Sequence, residues 1–424
     1  MATVYFHLGK GRVRVDIPDS NLLGVYTPSE RKPVGSAGWE VRRSLSNPIG
    51  SEPIPNQIRG GDKVLVILDD HTRQTPARAI VPGILDELFR AGIDRRDVEF
   101  VFALGTHRYM TMDEMVEKAG RDVMESFRVF NHHWREQSML VDLGSTRSGI
   151  PIEVNRKLVE ADWSIGVGNI VAHRVAGYTG GAKIVQPGLS GAATTAGTHL
   201  IAGEYPGEEI LGKAENPVRR EMEEIGRKAG LSMIFNTVLD AAGRMIGAFA
   251  GDMVEAHREG VELSERIYGI QIPCKADVVV IDSHPADSDM WQAVKAIEAA
   301  ELATKPGGTI VLLSPCLEGI SSEHPELERY GYMKPAAAKA MMESGKLEDP
   351  VAVAAMIHVG GILERFRVIA YTIGIDKKET ETLGFEYAPS AQEAVDRALR
   401  DAGPSAEVIA FKRGAEIVPK VGGR

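Results

Sequence analysis

Three histidines stand among glycines, threonines and small residues instead of on apolar faces. His107 lies in Leu104-Gly-Thr-His-Arg108, and His173 and His199 bound the stretch HRVAGYTGGAKIVQPGLSGAATTAGTH. Imidazoles in such settings suit proton transfer near neutral pH or metal ligation. Their spacing is not that of HExxH. Between them lies Lys183, in Gly180-Gly181-Ala182-Lys183. A lysine there serves either as a point charge for phosphate or as a nucleophile for a covalent cofactor. The run is not a GxxxxGK[ST] phosphate loop. Gly180 and Gly181 let the main chain approach a ligand closely. Arg73 follows Asp69 and Asp70 in DDHTRQTP (69–76), with Thr72 between. It can grip a carboxylate with two parallel hydrogen bonds or pair with Asp70 at the surface. In WQAVK (291–295), Gln292 and Lys295 are three apart and share one helix face. His132-His133 reads as a solvated pair, and His71 as support for the aspartates. His7, His257, His284, His324 and His358 read as structural.

Something must position these groups, and the apolar pattern says what. Lys63–Asp70, Val98–Leu104 and Asp162–Asn169 are continuous apolar runs, the pattern of strands buried on both faces of a parallel sheet. Each delivers a polar cluster at its end: Asp69–Arg73, Gly105–Arg108 and Asn169–His173. Ligands of open α/β sheets bind beyond the carboxyl ends of strands, so the three clusters are expected to converge. Amphipathic helices are expected over 77–91 and from 112, and a short one over 37–46. Residues 2–27 read as two strands joined by a Gly9-Lys10-Gly11 turn. After His199 the pattern is helical, over 217–229 and 253–268. A second α/β rhythm starts at Lys275–Asp282 and continues through 309–314 and 366–371, with a last strand near 407–412.

The reading is α/β: two α/β domains with Rossmann-like parallel sheets and an active-site cleft between them. The first spans 1–270 and holds the main cluster. The second spans 271–424 and closes over it, with the tail 407–424 packing back on the first domain. The 424 residues suit two domains, and a net charge of −10 argues against nucleic-acid or membrane-surface partners. Two cysteines without CxxC spacing exclude a disulfide scaffold or thiolate zinc site. With no secretory or membrane-length apolar segment, they point to the cytoplasm. Nothing in the pattern fixes an oligomeric state.

Jointly, DDHTRQTP, LGTHR (104–108), HRVAGYTGGAKIVQPGLSG (173–191) with His199, and WQAVK resemble the nickel-pincer lactate racemase family and its 2-hydroxy-acid racemase and epimerase relatives. The resemblance implies a nickel-pincer nucleotide, a pyridinium-3-thioamide-5-thiocarboxylic acid mononucleotide holding nickel. It implies that Lys183 bonds it covalently and His199 ligates the metal. Asp70, Thr72, Gly180 and Gly181 would surround the cofactor. His107 and His173 would be the two acid–base catalysts. Arg73, Gln292, Lys295 and Trp291 would bind the substrate, a small 2-hydroxy carboxylate such as lactate or malate. Maturation would need the cofactor-synthesis enzymes. Trp291 replaces the tyrosine of the lactate enzymes, which would reshape the pocket. Arg108 and Arg174 could read a second carboxylate or the cofactor phosphate. Two other functions compete with a racemase: a non-catalytic carrier of the cofactor, which would not need both His107 and His173, and an NAD-dependent 2-hydroxy-acid dehydrogenase, against which stands the lack of GxGxxG.

Overall fold

The apolar runs become central strands, as their burial on both faces requires. In the computed structural model, which describes residues 1–422, Val64–Asp69 is buried at every position. Its side chains alternate between two cores: Val64, Val66 and Leu68 face one, and Leu65 and Ile67 the other. It is a central strand of a six-stranded sheet. The order is Met245–Gly251, Met233–Leu239, Trp163–Asn169, Val64–Asp69, Val98–Ala103 and Arg128–Asn131. The strands run parallel except Met245–Gly251, which is antiparallel to its neighbour. The strands 233–239 and 245–251 are absent from the sequence reading, because Asn236-Thr237 breaks the apolar run of the first.

A second six-stranded sheet is parallel throughout. Its order is Glu386–Tyr387, Arg367–Thr372, Thr304–Ser314, Ala276–Asp282, Val408–Phe411 and Leu22–Tyr26. This reassigns residues 2–26 from the first unit to the second. Leu22–Tyr26 pairs with Val408–Phe411, so the chain's beginning belongs to the second sheet. The hairpin Ala2–Leu8/Gly11–Ile17 lays Val4, Phe6, Val15 and Ile17 on that sheet beside Val278 and Val280. Covering an apolar sheet face supplies the reason. The tail runs on from Val408–Phe411 to the first unit, where Lys420 pairs with Glu265 of helix Glu255–Tyr268. Val418–Val421 pairs with Gly269–Ile272, which directly follows that helix.

One continuous core joins the two units. Ile170, Tyr178 and Val238 from the first belong to the same apolar cluster as Val279, Ile281 and Ile297 from the second. Helix Ala192–Gly203 packs on helix Pro350–Leu363 across this boundary. Among the described residues, no helix is long and apolar enough to cross a membrane.

Candidate active site

The three strand ends meet. Asp70 and Arg73, Gly105 to His107, and Asn169 with His173 line one cavity, of about 1200 Å³ including its mouth. The opposite wall comes from the second unit. Trp291, Gln292, Lys295 and Glu298 reach in from helix Met290–Ala300, and His358 from helix Pro350–Leu363. The segment between His173 and His199 forms the floor. Gly180 has φ +76°, and a Cβ there would lie 2.7 Å from Asn236 Oδ1, so only glycine fits the turn. Gly181 does not line the cavity. Its N–H donates to Asn236 Oδ1 at 2.8 Å, and a Cβ would press on Met253 and His257. Its smallness serves the packing of helix Glu255–Tyr268, whose His257 lies against it.

His107 is held at both nitrogens. Nδ1 lies 2.5 Å from Asp70 Oδ2, and Nε2 lies 3.0 Å from the Gln292 amide nitrogen. A carboxylate can only accept and an amide NH₂ can only donate. The proton is therefore on Nδ1, and Nε2 presents its lone pair. Burial drives His107 below the usual histidine value against the opposing pull of Asp70. For Asp70, burial favours the neutral form, but His107, Arg73 and His71 outweigh it and keep the carboxyl ionised. Thr72 stays outside the main cavity. Its backbone N–H and Oγ1 donate to Asp70 Oδ1 at 3.0 and 2.6 Å, and Arg73 donates to the same hydroxyl oxygen at 3.1 Å. Thr72 thus braces the Asp70 carboxylate.

His173 is arranged the opposite way. Its Nδ1 accepts the Val175 N–H at 3.2 Å, which leaves the proton on Nε2. Burial, then Lys183 and Lys295, holds it well below the usual value. The cavity therefore contains two imidazoles of opposite tautomer, His107 presenting a lone pair and His173 an N–H at Nε2. His199 Nδ1 donates to Thr195 O, one helical turn earlier, at 2.8 Å. Its Nε2 lone pair is left free, and burial lowers its pKa to about 4. The Lys183 side-chain amine has no hydrogen-bond or ion-pair partner among the described residues. Burial, then Arg73 and Lys295, holds it well below the usual lysine value. Lys295 donates to Gln292 Oε1, and burial lowers its pKa to about 7.

Some placements differ from the sequence reading. His132 is fully buried, not solvated. Its Nε2 donates to Ser190 O at 3.0 Å and its Nδ1 accepts from Asn155 at 2.9 Å, pinning the turn after the cavity floor. His133 is half-buried and meets the Tyr109 hydroxyl. Neither Arg108 nor Arg174 faces the cavity. Arg108 is held by Glu114 at 2.7 Å and by Glu318 of the second unit at 3.1 Å. Arg174 is buried, donates to Tyr205 O at 2.7 Å and lies 3.7 Å from Glu301. His324 and His358, read as structural, are both close to the site. His324 stacks on Trp291 at 4.2 Å between ring centres, and His358 pairs with Glu298. The usable signal for His358 was a lone polar residue in the apolar run PVAVAAMIHVGGIL, because a buried histidine needs a partner.

Comparison with known proteins gives a consistent family. The model of the lactate racemase N-terminal domain matches residues 8–209, and that of the lactate racemase C-terminal domain matches 272–418. The lactate racemase of Thermoanaerobacterium thermosaccharolyticum is 32% identical over 330 residues, 76% of either chain. That of Lactiplantibacillus plantarum is 31% identical over 386 residues, 90% of either chain. The structure of the Thermoanaerobacterium lactate racemase apoprotein superposes with a TM-score of 0.86 at 28% identity, covering 99% of this chain and 100% of that one. A Thermotoga maritima protein shares the fold, with a TM-score of 0.72 at 20% identity over 93% of this chain and 100% of that one.

Proposed function

Because the chain belongs to the lactate racemase family and is therefore an isomerase of the racemase type, we propose that it inverts C2 of a small 2-hydroxy carboxylate through a 2-keto acid, using a nickel-pincer nucleotide. The observation that carries this reading is the pair of imidazoles of opposite tautomer, His107 and His173, in one buried cavity.

The residues fit the cofactor. His199 tied through Nδ1 to a backbone carbonyl is the usual arrangement of a metal-binding imidazole, with Nε2 left to ligate. Among the described residues no cluster of three His, Cys, Asp or Glu could hold a metal ion. A metal on His199 would need its other donors from an organic group, which a pincer supplies. Burial and the neighbouring Arg73 and Lys295 push Lys183 toward its neutral, nucleophilic form, the state an amide-type link requires. Gly180 and Pro187 would flank the ring.

When bound, the cofactor would accept hydride from Cα and return it. The C2 hydrogen of a hydroxy acid is too weakly acidic for simple deprotonation, so loss as hydride is the easier route. His107 Nε2 would take the hydroxyl proton as Cα becomes planar. Arg73 and Lys295 would hold the carboxylate while the carbonyl carbon presents its other face. On that side His173 would return a proton to oxygen from its imidazolium form, which requires Nδ1 to release the Val175 N–H and take up a proton first. In the reverse direction the two imidazoles exchange roles. Gln292, hydrogen-bonded to His107 and Lys295, would orient the oxygen being oxidised. Burial strengthens each of these interactions by excluding water.

The test is intact-mass and metal analysis of protein produced with the cofactor-synthesis enzymes, followed by polarimetry with single enantiomers of 2-hydroxy acids. A mass increase lost in Lys183→Ala, one nickel per chain and decay of optical rotation are expected. An unmodified mass with neither nickel nor a separable nucleotide would sink the proposal.

A further inference from the structure

The second-unit wall of the cavity holds polar groups that inversion of a simple alkyl acid does not use. Glu298 Oε1 and His358 Nδ1 lie 3.2 Å apart, and both residues line the cavity. Tyr332 lines it as well. The Tyr332 hydroxyl and His358 Nε2 are buried and have no hydrogen-bond partner among the described residues. Buried polar atoms are nearly always paired, and leaving one unpaired is costly. Unpaired atoms on side chains of a ligand cavity mark what the ligand must supply.

The chemistry of the set is specific. With its Nδ1 proton turned to Glu298, His358 Nε2 is a lone-pair acceptor. The Glu298 carboxylate also only accepts, and the Tyr332 hydroxyl can donate or accept. The cluster therefore calls for hydrogen-bond donors. The methyl of lactate offers none. A second carboxylate, as in malate, brings more lone pairs and a negative charge beside Glu298, while Arg108 and Arg174 are committed elsewhere. An ammonium group would share the cavity with the Arg73 guanidinium. A hydroxyl brings a proton without a charge.

We infer that Glu298, His358 and Tyr332 form a subsite for hydroxyl groups beyond C2, so that the substrate is a polyhydroxylated 2-hydroxy acid of the aldonic type. The reaction then inverts one stereocentre among several, an epimerisation. This rests on the 2-hydroxy-acid reading above and specifies its substrate.

The matured holoenzyme is assayed with lactate, malate, glycerate and four- to six-carbon aldonates, following C2 configuration by chiral chromatography. At least one hydroxylated acid is expected to exceed lactate and malate in kcat/KM by about 100-fold or more, since a site built for a hydroxyl rejects analogues that lack it. Glu298→Gln and Tyr332→Phe are each expected to cut that ratio by about tenfold or more. Lactate or malate matching every hydroxylated acid overturns the inference and leaves the 2-hydroxy-acid reading standing. Silence with every acid overturns both. Calorimetry on the unaltered holoenzyme avoids dependence on variant folding. A 3,4-dihydroxy acid lacking the C2 hydroxyl is expected to bind about tenfold or more tighter than butyrate, and equal affinities overturn the subsite.

Discussion

Replacing Asp70 by Asn preserves the side chain's shape and changes which nitrogen of His107 carries the proton. Two donors, the Thr72 N–H at 3.0 Å and its hydroxyl at 2.6 Å, converge on Asp70 Oδ1. In Asp70→Asn they select the carbonyl oxygen for that position. The amide NH₂ then faces His107 Nδ1, where the carboxylate Oδ2 stood at 2.5 Å. An NH₂ cannot accept, so Nδ1 must become the acceptor and the proton moves to Nε2. The lone pair that would take the substrate hydroxyl proton is lost. A positioned general base contributes about 10²- to 10⁴-fold, which is about 2.7–5.4 kcal/mol of barrier. The expected result is a fall in kcat of that size at saturating substrate, with nickel content unchanged. The pH profile moves too. Asp70 opposes the burial that lowers His107, so its loss lowers that pKa further. The acid limb of kcat/KM, where His107 becomes protonated and inactive, shifts to lower pH. A variant within about threefold of the parent's kcat, a spread too small for loss of a general base, would refute the tautomer argument.

Three further outcomes are expected. His199→Ala loses nickel, measured by elemental analysis, whereas His107→Ala and His173→Ala keep it and lose turnover. Loss of nickel in all three would make them a shared ligand set instead. Lys295, lowered by burial from 10.5 to about 7, binds fewer protons folded than unfolded between those values. Its linkage therefore makes stability rise with pH across that window, the burial penalty being greatest below pH 7. Lys295→Met should raise the melting temperature of cofactor-free protein by a few degrees at pH 6 and by less at pH 10, and an equal shift at both pH values would contradict the burial argument. It should also raise KM for the carboxylate, and an unchanged KM would remove Lys295 from substrate binding.

Much of the cavity was legible in the chain because parallel-strand physics is local. An apolar run ending in a polar cluster marks a strand end, and three of them brought Asp70, His107 and His173 together. Gln292 and Lys295 were legible from helical spacing, although which unit's cavity they enter depends on how the two sheets meet. The second-unit wall was not legible. Glu298 and His358 lie 60 residues apart on different helices, and only helix packing makes them partners. Arg108 and Arg174 show the converse error. A cation near a site motif looks available for ligand until its own carboxylates and carbonyls are found in space. The placement of Leu22–Tyr26 in the second sheet is a nonlocal pairing with Val408–Phe411, which no periodicity within either segment encodes.

The central claim is that hydrogen leaves C2 as hydride, is held within the closed cavity and returns to the opposite face. The most direct measurement uses substrate deuterated at C2, turned over by the matured enzyme in ordinary water and analysed by mass spectrometry after inversion. Inverted product that keeps its deuterium is the predicted result. Inverted product that has exchanged C2 deuterium for solvent hydrogen would contradict the account and assign the chemistry to deprotonation.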